Sequence, residues 1–474
     1  MAGLVSYGTY IPRHRLKRSE ISSVLSSGKG PAGGTARGTR AVAGYDEDST
    51  SMGVEAARQA LRRAPGVSPA RLIFATSSPP YLDKTNANTI HAALRLDPAA
   101  LALDMAGSVR SGVGAMLLAH ESPQPTLVVL SDLRTGLPGG SDERDGGDAA
   151  AAFLFGAGDP LVEVVAEASS TDEFLDRWRL PGSPASRVWE ERFGEHVYVP
   201  LADAAFADAL KKAGMAPSDV DLLIVAGTHA RAARVFSSAA GVDRVADDLG
   251  GSVGNPGAAQ PGILLAAALD QAHPGQRIAL VVLADGATAQ ILRVTEAAAA
   301  PKAGQSVAEQ VAAGDESLRY ATFLSWRGFL TREPPRRPDP VAPAAPPTHR
   351  SAGYKYGFVG HRCRDCGTVH LPAVRVCVNC KSVDRMVDVP MADQAGTIAT
   401  FTIDHLAYSP SPPVIAAVVD LDAGGRFSCE LTDADPQAVA IGDRVEMTFR
   451  RTVTAGGVHN YFWKARPAAR SAGA

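Results

Sequence analysis

The first 362 residues of this 474-residue chain contain no cysteine. No disulfide and no thiolate metal site can exist in that larger part. Long apolar runs are missing too, since none approaches the ~20 residues that a membrane-spanning helix needs. Charge of one sign is also missing: 47 basic residues face 50 acidic ones, for a net charge of −3. No field strong enough to favour nucleic acid or an anionic membrane is expected from that balance. The opening stretch MAGLVSYGTYIPRHRLKRSEI sets its basic residues after a short strand-like run, the reverse of a secretory signal. The expected compartment is the cytoplasm, where thiols stay reduced.

Four of the five cysteines crowd into CRDCGTVHLPAVRVCVNC, residues 363–380. Cys363 and Cys366 make one C-x-x-C pair, and Cys377 and Cys380 make a second. Two such pairs supply four thiolates that can close a tetrahedron around Zn²⁺, at about 2.3 Å per bond. Gly367 follows the first pair, where a knuckle needs a permissive backbone. Four sulfurs leave no open position for water, so the role expected of the ion is structural. Two redox-active pairs are the competing reading, but no βαβ context surrounds them. His370 lies between the knuckles, and with four sulfurs present it is not needed as a ligand.

A chain of this length exceeds a single core. Its hydrophobic share of 45% is enough for compact globular domains. Residues 331–353 hold seven prolines and are expected to form an extended, semi-rigid linker without helix. That linker divides a large domain, 1–330, from a zinc ribbon, 354–388, and a last region, 389–467. The last region carries five β-patterned runs, at 396–404, 413–421, 426–431, 443–451 and 459–465, which suit a small barrel of OB type. Tyr461, Phe462 and Trp463 could stack on bases, but without a basic excess they read as packing residues. Cys429 reads as a buried apolar residue.

The large domain repeats itself. VEAARQALRRAPGVSPARLIFATSS reads as helix, turn and strand, and so does FADALKKAGMAPSDVDLLIVAGTH in the second half. TLVVLSD (126–132) is answered by ALVVLAD (279–285), and DMAGSV (104–109) by DLGGSV (248–253). Three matches in one order imply a duplicated α/β unit. Its apolar strand runs suggest sheets covered on both faces by helices.

A duplicated α/β domain with these motifs resembles the thiolase superfamily, and within it the hydroxymethylglutaryl-CoA synthase and ketoacyl synthase III branch. YIPRHRL (10–16), YDEDSTSMGVEAA (45–57), GGDAAAAFLFG (146–156) and GNPGAAQPGILLAAALD (254–270) carry the likeness. The C-terminal part resembles the zinc-ribbon/OB-fold proteins that accompany thiolases, here fused to the same chain. The fold class implied is α/β: a duplicated thiolase-like fold followed by a zinc ribbon and a small OB-type β-barrel. The resemblance further implies a coenzyme A thioester as substrate and a homodimer through the large domain. A hetero-complex with a separate thiolase is the alternative assembly, and neither nucleic acid nor membrane is an expected partner.

Members of that branch hold an acyl group on a cysteine at the N-terminus of a central helix, where the helix dipole and a histidine lower the thiol pKa. Counting back from Gly112 in LDMAGSVRSGVGAMLLA (103–119) puts Val109 at that place, and valine forms no thioester. The branch's glutamate acid/base after RLIFATSS is replaced by Ser77. His229 in AGTHARAARV and Asn255 in GNPGAAQP fall where the family keeps its histidine and asparagine. The resemblance implies that both donate hydrogen bonds to a thioester oxygen that gains negative charge. Ser108 and Ser111 flank Val109, but a serine needs a positioned base, and Ser108 suits a helix N-cap. Arg110 is a candidate for binding the substrate, through a phosphate, or for pairing with a carboxylate. Tyr81 in SSPPYLDKTNANTIH is a candidate base whose competing reading is a packing residue after a strand.

Three functions fit. The first is C–C bond cleavage or formation without an acyl-enzyme, such as retro-aldol cleavage of a 3-hydroxyacyl-CoA. The second is a non-catalytic scaffold or channel subunit for a separate thiolase. The third is an acyltransferase with another nucleophile. His229 and Asn255 favour chemistry, whereas the residues at 109 and 77 favour a scaffold or a changed reaction.

Overall fold

Apolar strand runs assemble into one nine-stranded sheet in the computed structural model, which describes residues 2–25, 37–300 and 303–468. In chain order the strands are β1 (Gly3–Tyr10), β2 (Arg71–Thr76), β3 (Leu101–Ala106), β4 (Thr126–Leu133) and β5 (Asp148–Gly156). The second half adds β6 (Val162–Ser170), β7 (Leu222–Gly227), β8 (Arg277–Leu283) and β9 (Ala287–Val294). Across the sheet the order is β7-β8-β9-β6-β1-β5-β4-β2-β3. Outward from the middle, β1, β5, β4 and β2 pair antiparallel, antiparallel and parallel. On the other side β6, β9, β8 and β7 pair in the same sequence of senses. The two halves meet where Leu4 of β1 faces Val162 of β6. Two of the three sequence matches thus fall on topologically equivalent elements, while DMAGSV ends β3 and its match DLGGSV (248–253) lies in no strand.

Five helices pack against this sheet: α1 (Ser49–Arg63), α2 (Arg110–Glu121), α3 (Glu191–Ala213), α4 (Ala230–Ala239) and α5 (Gln260–Gln271). Asp48 starts α1 by accepting the Ser51 N–H at 2.9 Å, while Ser51 Oγ accepts the Asp48 N–H at 2.9 Å, a reciprocal cap. One core joins α2 and α5 to the sheet, through Val113, Met116, Ile263 and Leu264 among others. A second core packs α3 and α4 against the later strands, with Phe206 and Phe236 edge to face. The backbones of α2 and residues 257–259 run so close that a Cβ at Gly112 would lie 2.3 Å from the Ala258 carbonyl oxygen. Glycine at 112 is a packing requirement. No helix among the described residues is long and apolar enough to cross a membrane.

A second compact unit comprises Leu330–Ala474 together with Tyr45–Glu47 and Thr89–Arg95. Its ribbon pairs Val359–Cys363 with Val369–His370 and Met386–Pro390. Beyond it Ala395–Asp404, Val414–Leu421, Arg426–Leu431, Val458–Pro467 and Arg444–Ala455 close into a five-stranded barrel, in that spatial order. Alternation along Val458–Pro467 turns Tyr461, Trp463 and Ala465 into the barrel core. Buried charges in this unit are paired: Lys464 Nζ lies 2.9 Å from Asp46 and 2.8 Å from Glu430, and Arg450 lies 2.6 Å from Asp433. One expectation fails here. The proline-rich segment includes a helix, Ala345–Arg350. Pro346 and Pro347 occupy its first turn, where a missing N–H breaks no helical hydrogen bond.

Candidate active site and zinc site

Strands β2, β3, β7 and β8 all end on one side of the sheet, and the loops after them build a cavity of about 620 Å³. Ser77 follows β2, Ser108 and Val109 lead from β3 into α2, Thr228 follows β7 and Asp285 follows β8; all five line it. Arg177–Ser183 and Tyr198 of α3 close the remaining wall. Asp285 contributes the sole carboxylate among these lining residues.

Val109 is 8% exposed and occupies the N-cap position of α2, where unpaired N–H groups and the helix dipole make a positive end. The capping is done by its neighbour: Ser108 Oγ accepts the Arg110 N–H at 3.1 Å and donates to the Asp285 carboxylate. Tyr198 Oη accepts the Asp285 N–H at 3.3 Å. Burial, with a further push from Asp176, raises the Tyr198 phenol well above its usual range, so it stays protonated and can donate into the cavity. Asp176 is itself buried, and its Oδ1 has no hydrogen-bond partner. Burial also raises the Asp176 carboxyl.

The residues singled out from the sequence do not converge. His229 caps α4: its Nδ1 accepts the Ala232 N–H at 3.0 Å, and its Nε2 is 3.0 Å from the Glu191 carbonyl oxygen. Its ring packs into the space left by Gly194, where a Cβ would lie 2.5 Å from Nε2. Asn255 Nδ2 donates to Gly227 O at 2.7 Å and Gln260 Oε1 at 2.9 Å, and its Oδ1 accepts the Gly257 N–H at 2.9 Å. Both therefore spend their polar atoms inside the protein, His229 on α3 and α4 and Asn255 on Gly227, Gly257 and Gln260, and they flank Thr228, which lines the cavity. Asn255 itself lines a neighbouring cavity of about 340 Å³, to which Thr228 and Arg134 also belong. The Arg110 guanidinium donates to the carbonyls of Ala284 at 3.2 Å and Asp285 at 2.7 Å and to Thr171 Oγ1 at 3.0 Å, clamping the β8–β9 turn. Tyr81 is outside the lining; its N–H donates to Asn86 Oδ1 at 3.1 Å, and Lys84 Nζ is 6.0 Å from its ring.

Sequence reasoning missed other residues of the cavity. Arg134, Arg177, Arg179, Tyr198 and Asp285 all line it. Two signals could have found some of them. Asp285 ends ALVVLAD as Asp132 ends TLVVLSD, and Arg177 and Arg179 alternate along DRWR, which sets them on one face of an extended segment.

In the second unit, the Sγ atoms of Cys363, Cys366, Cys377 and Cys380 all lie within 4.8 Å of one another. Cys363 and Cys380 approach to 3.6 Å, and Cys366 and Cys377 to 3.5 Å, without a disulfide. Tetrahedral thiolates at about 2.3 Å from a zinc ion would be ~3.8 Å apart, so the donor set fits the ion. The two knuckles fold alike: Gly367 N–H donates to Cys363 O at 2.9 Å and Lys381 N–H to Cys377 O at 3.0 Å. Both Gly367 and Lys381 take positive φ, at 74° and 66°.

Known proteins place these features in a family. The hydroxymethylglutaryl-CoA synthase of Aeropyrum pernix is 31% identical over 344 residues, covering 69% of this chain and 95% of that protein. The synthase of Archaeoglobus fulgidus is 30% identical over 313 residues, covering 63% and 90%. The chain belongs to the hydroxymethylglutaryl-CoA synthase family. Solved structures share the fold of its larger part. A hydroxymethylglutaryl-CoA synthase complexed with CoA covers 68% of this chain and 89% of its own, with a TM-score of 0.55 and 17% identity. The 3-oxoacyl-[acyl-carrier-protein] synthase III from Aquifex aeolicus covers 62% and 100%, with a TM-score of 0.54 and 21% identity. Beyond the synthase-like part, residues 350–386 match the rubredoxin-like zinc ribbon domain of ChsH2, and residues 388–450 match its C-terminal OB-fold domain. The ribbon is thus a zinc ribbon, with Cys363, Cys366, Cys377 and Cys380 as its structural ligands.

Proposed function

We propose that the cavity beside α2 takes an acyl-CoA thioester and makes or breaks a carbon–carbon bond on it without an acyl-enzyme. One observation carries the reading: Val109, which has no nucleophile, stands at the helix N-terminus and lines a cavity that still offers Tyr198, Ser108 and Asp285. The hydroxymethylglutaryl-CoA synthases among the relatives, and the CoA complex of a shared fold, support a thioester as the ligand.

In the cleavage direction, Asp285 takes the proton of the substrate's β-hydroxyl, directly or through Ser108. The Cα–Cβ bond breaks, its electron pair moves onto the thioester as an enolate, and the β-carbon leaves as an aldehyde or ketone. Tyr198 donates to the enolate oxygen, and protonation at Cα releases the shorter acyl-CoA. Atoms balance with no further reactant. A preorganised donor of this kind is worth about 3 kcal/mol of transition-state stabilisation. His229 and Asn255 act in this scheme as positioning residues, fixing Thr228 and the carboxyl end of β7. Arg110 holds Asp285 in place through its backbone, and Tyr81 has no part in the step.

A scaffold for a separate thiolase is the second reading, favoured by the internal satisfaction of the His229 and Asn255 donors. Val109→Cys distinguishes the two. A thiol at the start of α2 should have a depressed pKa and capture an acyl group from acyl-CoA. A mass increase of one acyl group on residue 109 supports a working thioester pocket. An inert variant that keeps its fold supports the scaffold.

A further inference from the structure

Three guanidinium groups share one wall of the cavity, and the proposed C–C chemistry uses none of them. Arg134 Nη1 donates to Ser77 Oγ at 3.3 Å, and its Nη2 is 3.8 Å from Asp142 Oδ2. Arg177 Nη1 donates to that same Asp142 oxygen at 2.5 Å, while its Nε is buried without a partner. Arg179 donates to the carbonyl oxygen of Ser77. Asp142 thus bridges two of the guanidinium groups, with Asp132 acting also on Arg134 and Asp176 on Arg177, and a neutral carbonyl holds the third. Burial foremost, then repulsion from Arg177 and further from Arg179, keeps Arg134 below its ordinary pKa. Pro79, Leu82, Trp178 and Leu180 give the same cavity apolar surface.

We propose that Arg134, Arg177 and Arg179 bind an anionic oxygen group of the substrate, a carboxylate or a phosphate, that takes no part in bond cleavage. The proposal rests on the reading that this cavity accepts an acyl-CoA. The planar guanidinium fork matches such oxyanions, and charge-assisted bonds are roughly twice as strong as neutral ones. A lined apolar surface beside a crowded cationic wall suits a ligand that is apolar along its length and charged at one point. Two parts of an acyl-CoA carry that chemistry: a carboxylate at the far end of the acyl chain, and the phosphates of coenzyme A.

Isothermal titration calorimetry on the full chain separates them, with valeryl-CoA, glutaryl-CoA and S-valeryl-pantetheine as probes. If the wall reads an acyl carboxylate, glutaryl-CoA binds about tenfold or more tightly than valeryl-CoA. Arg177→Gln and Arg179→Gln then remove that gap, and Arg179→Lys keeps part of it. If the wall reads phosphate, the two acyl-CoAs bind alike and S-valeryl-pantetheine binds about tenfold or more weakly. The two glutamine variants then weaken valeryl-CoA to the pantetheine level. Arg179 is exposed, so its variants should keep the thermal midpoint of the parent. The proposal is overturned if neither gap exists, or if a gap survives both glutamine variants unchanged. Binding is read independently of turnover, so a chain that shows the gap yet cleaves nothing contradicts only the C–C reading.

Discussion

Asp132 and Asp285 hold the same place in the two halves of the sheet and do opposite things. Asp132 is wholly buried and accepts from Thr76 Oγ1 at 2.9 Å, from Ser77 N and Oγ at 2.6 and 2.7 Å, and from Ala258 N at 2.7 Å. Asp285 is exposed at the cavity, takes the Ser108 hydroxyl and adopts a left-handed φ of 46°. A buried carboxylate with every lone pair used is fixed structure. Its exposed counterpart in the repeat is free for chemistry. Asp132→Asn should therefore destabilise the large unit, by about 1–3 kcal/mol for the mismatched donors. Asp285→Asn should leave the thermal midpoint nearly unchanged and remove activity, as paired unfolding and turnover measurements would show.

Ser108 should not be a nucleophile. Its oxygen already caps α2 through the Arg110 N–H. Intact-mass spectrometry after incubation with acetyl-CoA is expected to show no stable acetyl adduct. A stoichiometric adduct on Ser108 or Ser111 would instead establish an acyltransferase.

Tyr198→Phe should lower kcat by about 10²-fold with little change in KM, because the lost donor acts mainly on the enolate oxygen. His229→Ala should show a different pattern. Losing the cap of α4 costs about 1 kcal/mol of stability, and the loosened Thr228 segment lowers kcat less than Tyr198→Phe does. Equal kcat losses with unchanged stability would instead make His229 a group that touches substrate.

Asp46 makes the second unit sensitive to acid. Burial opposes its charged form, but Lys464 and Arg450 together outweigh that penalty and hold the carboxyl down at about 2. The ordinary value is 3.8, so the stabilisation is complete above that pH and lost as pH falls through about 2. The shift corresponds to about 2 kcal/mol. Thermal unfolding of the parent should show a steeper fall below pH 4 than Asp46→Asn, which should already be less stable at pH 7.

Zinc should be present at one ion per chain. Cys377→Ser should release it and unfold the ribbon, since structural zinc contributes folding free energy directly. Elemental analysis of the well-folded parent finding much less than one zinc would contradict the site.

The chain should dimerise by extending its sheet. β3 is an edge strand of sequence LALDMA, with Leu101 55% exposed and Leu118 of the following helix 51% exposed. Long apolar edges are templates for pairing. Sedimentation equilibrium at micromolar concentration should give a dimer, and Leu101→Lys with Leu118→Lys a monomer.

Much of the architecture was legible in the sequence, because it depends on local pattern. The repeat showed in TLVVLSD and ALVVLAD, the zinc site in two C-x-x-C pairs, and the barrel in five alternating runs. The helix at Ala345–Arg350 escaped because proline is harmless in a first turn. Roles within the site were less legible. His229 and Asn255 were found by motif, but their hydrogen-bond partners are set by tertiary contact: Glu191 O and Gly227 O lie 38 and 28 residues away. Arg177 and Arg179 sit in a segment whose place against Ser77 no periodicity reveals.

The central claim is bond cleavage without an acyl-enzyme, and product stoichiometry tests it most directly. The purified chain would be incubated with a panel of 3-hydroxyacyl-CoA thioesters, including branched and carboxylated chains, and products separated by chromatography with mass detection. The account predicts that at least one thioester yields a shorter acyl-CoA and a carbonyl compound in equal amounts, with no free coenzyme A, and that Tyr198→Phe suppresses both together. Release of free coenzyme A, or no turnover of any thioester by a well-folded, zinc-replete chain that binds them, would contradict it.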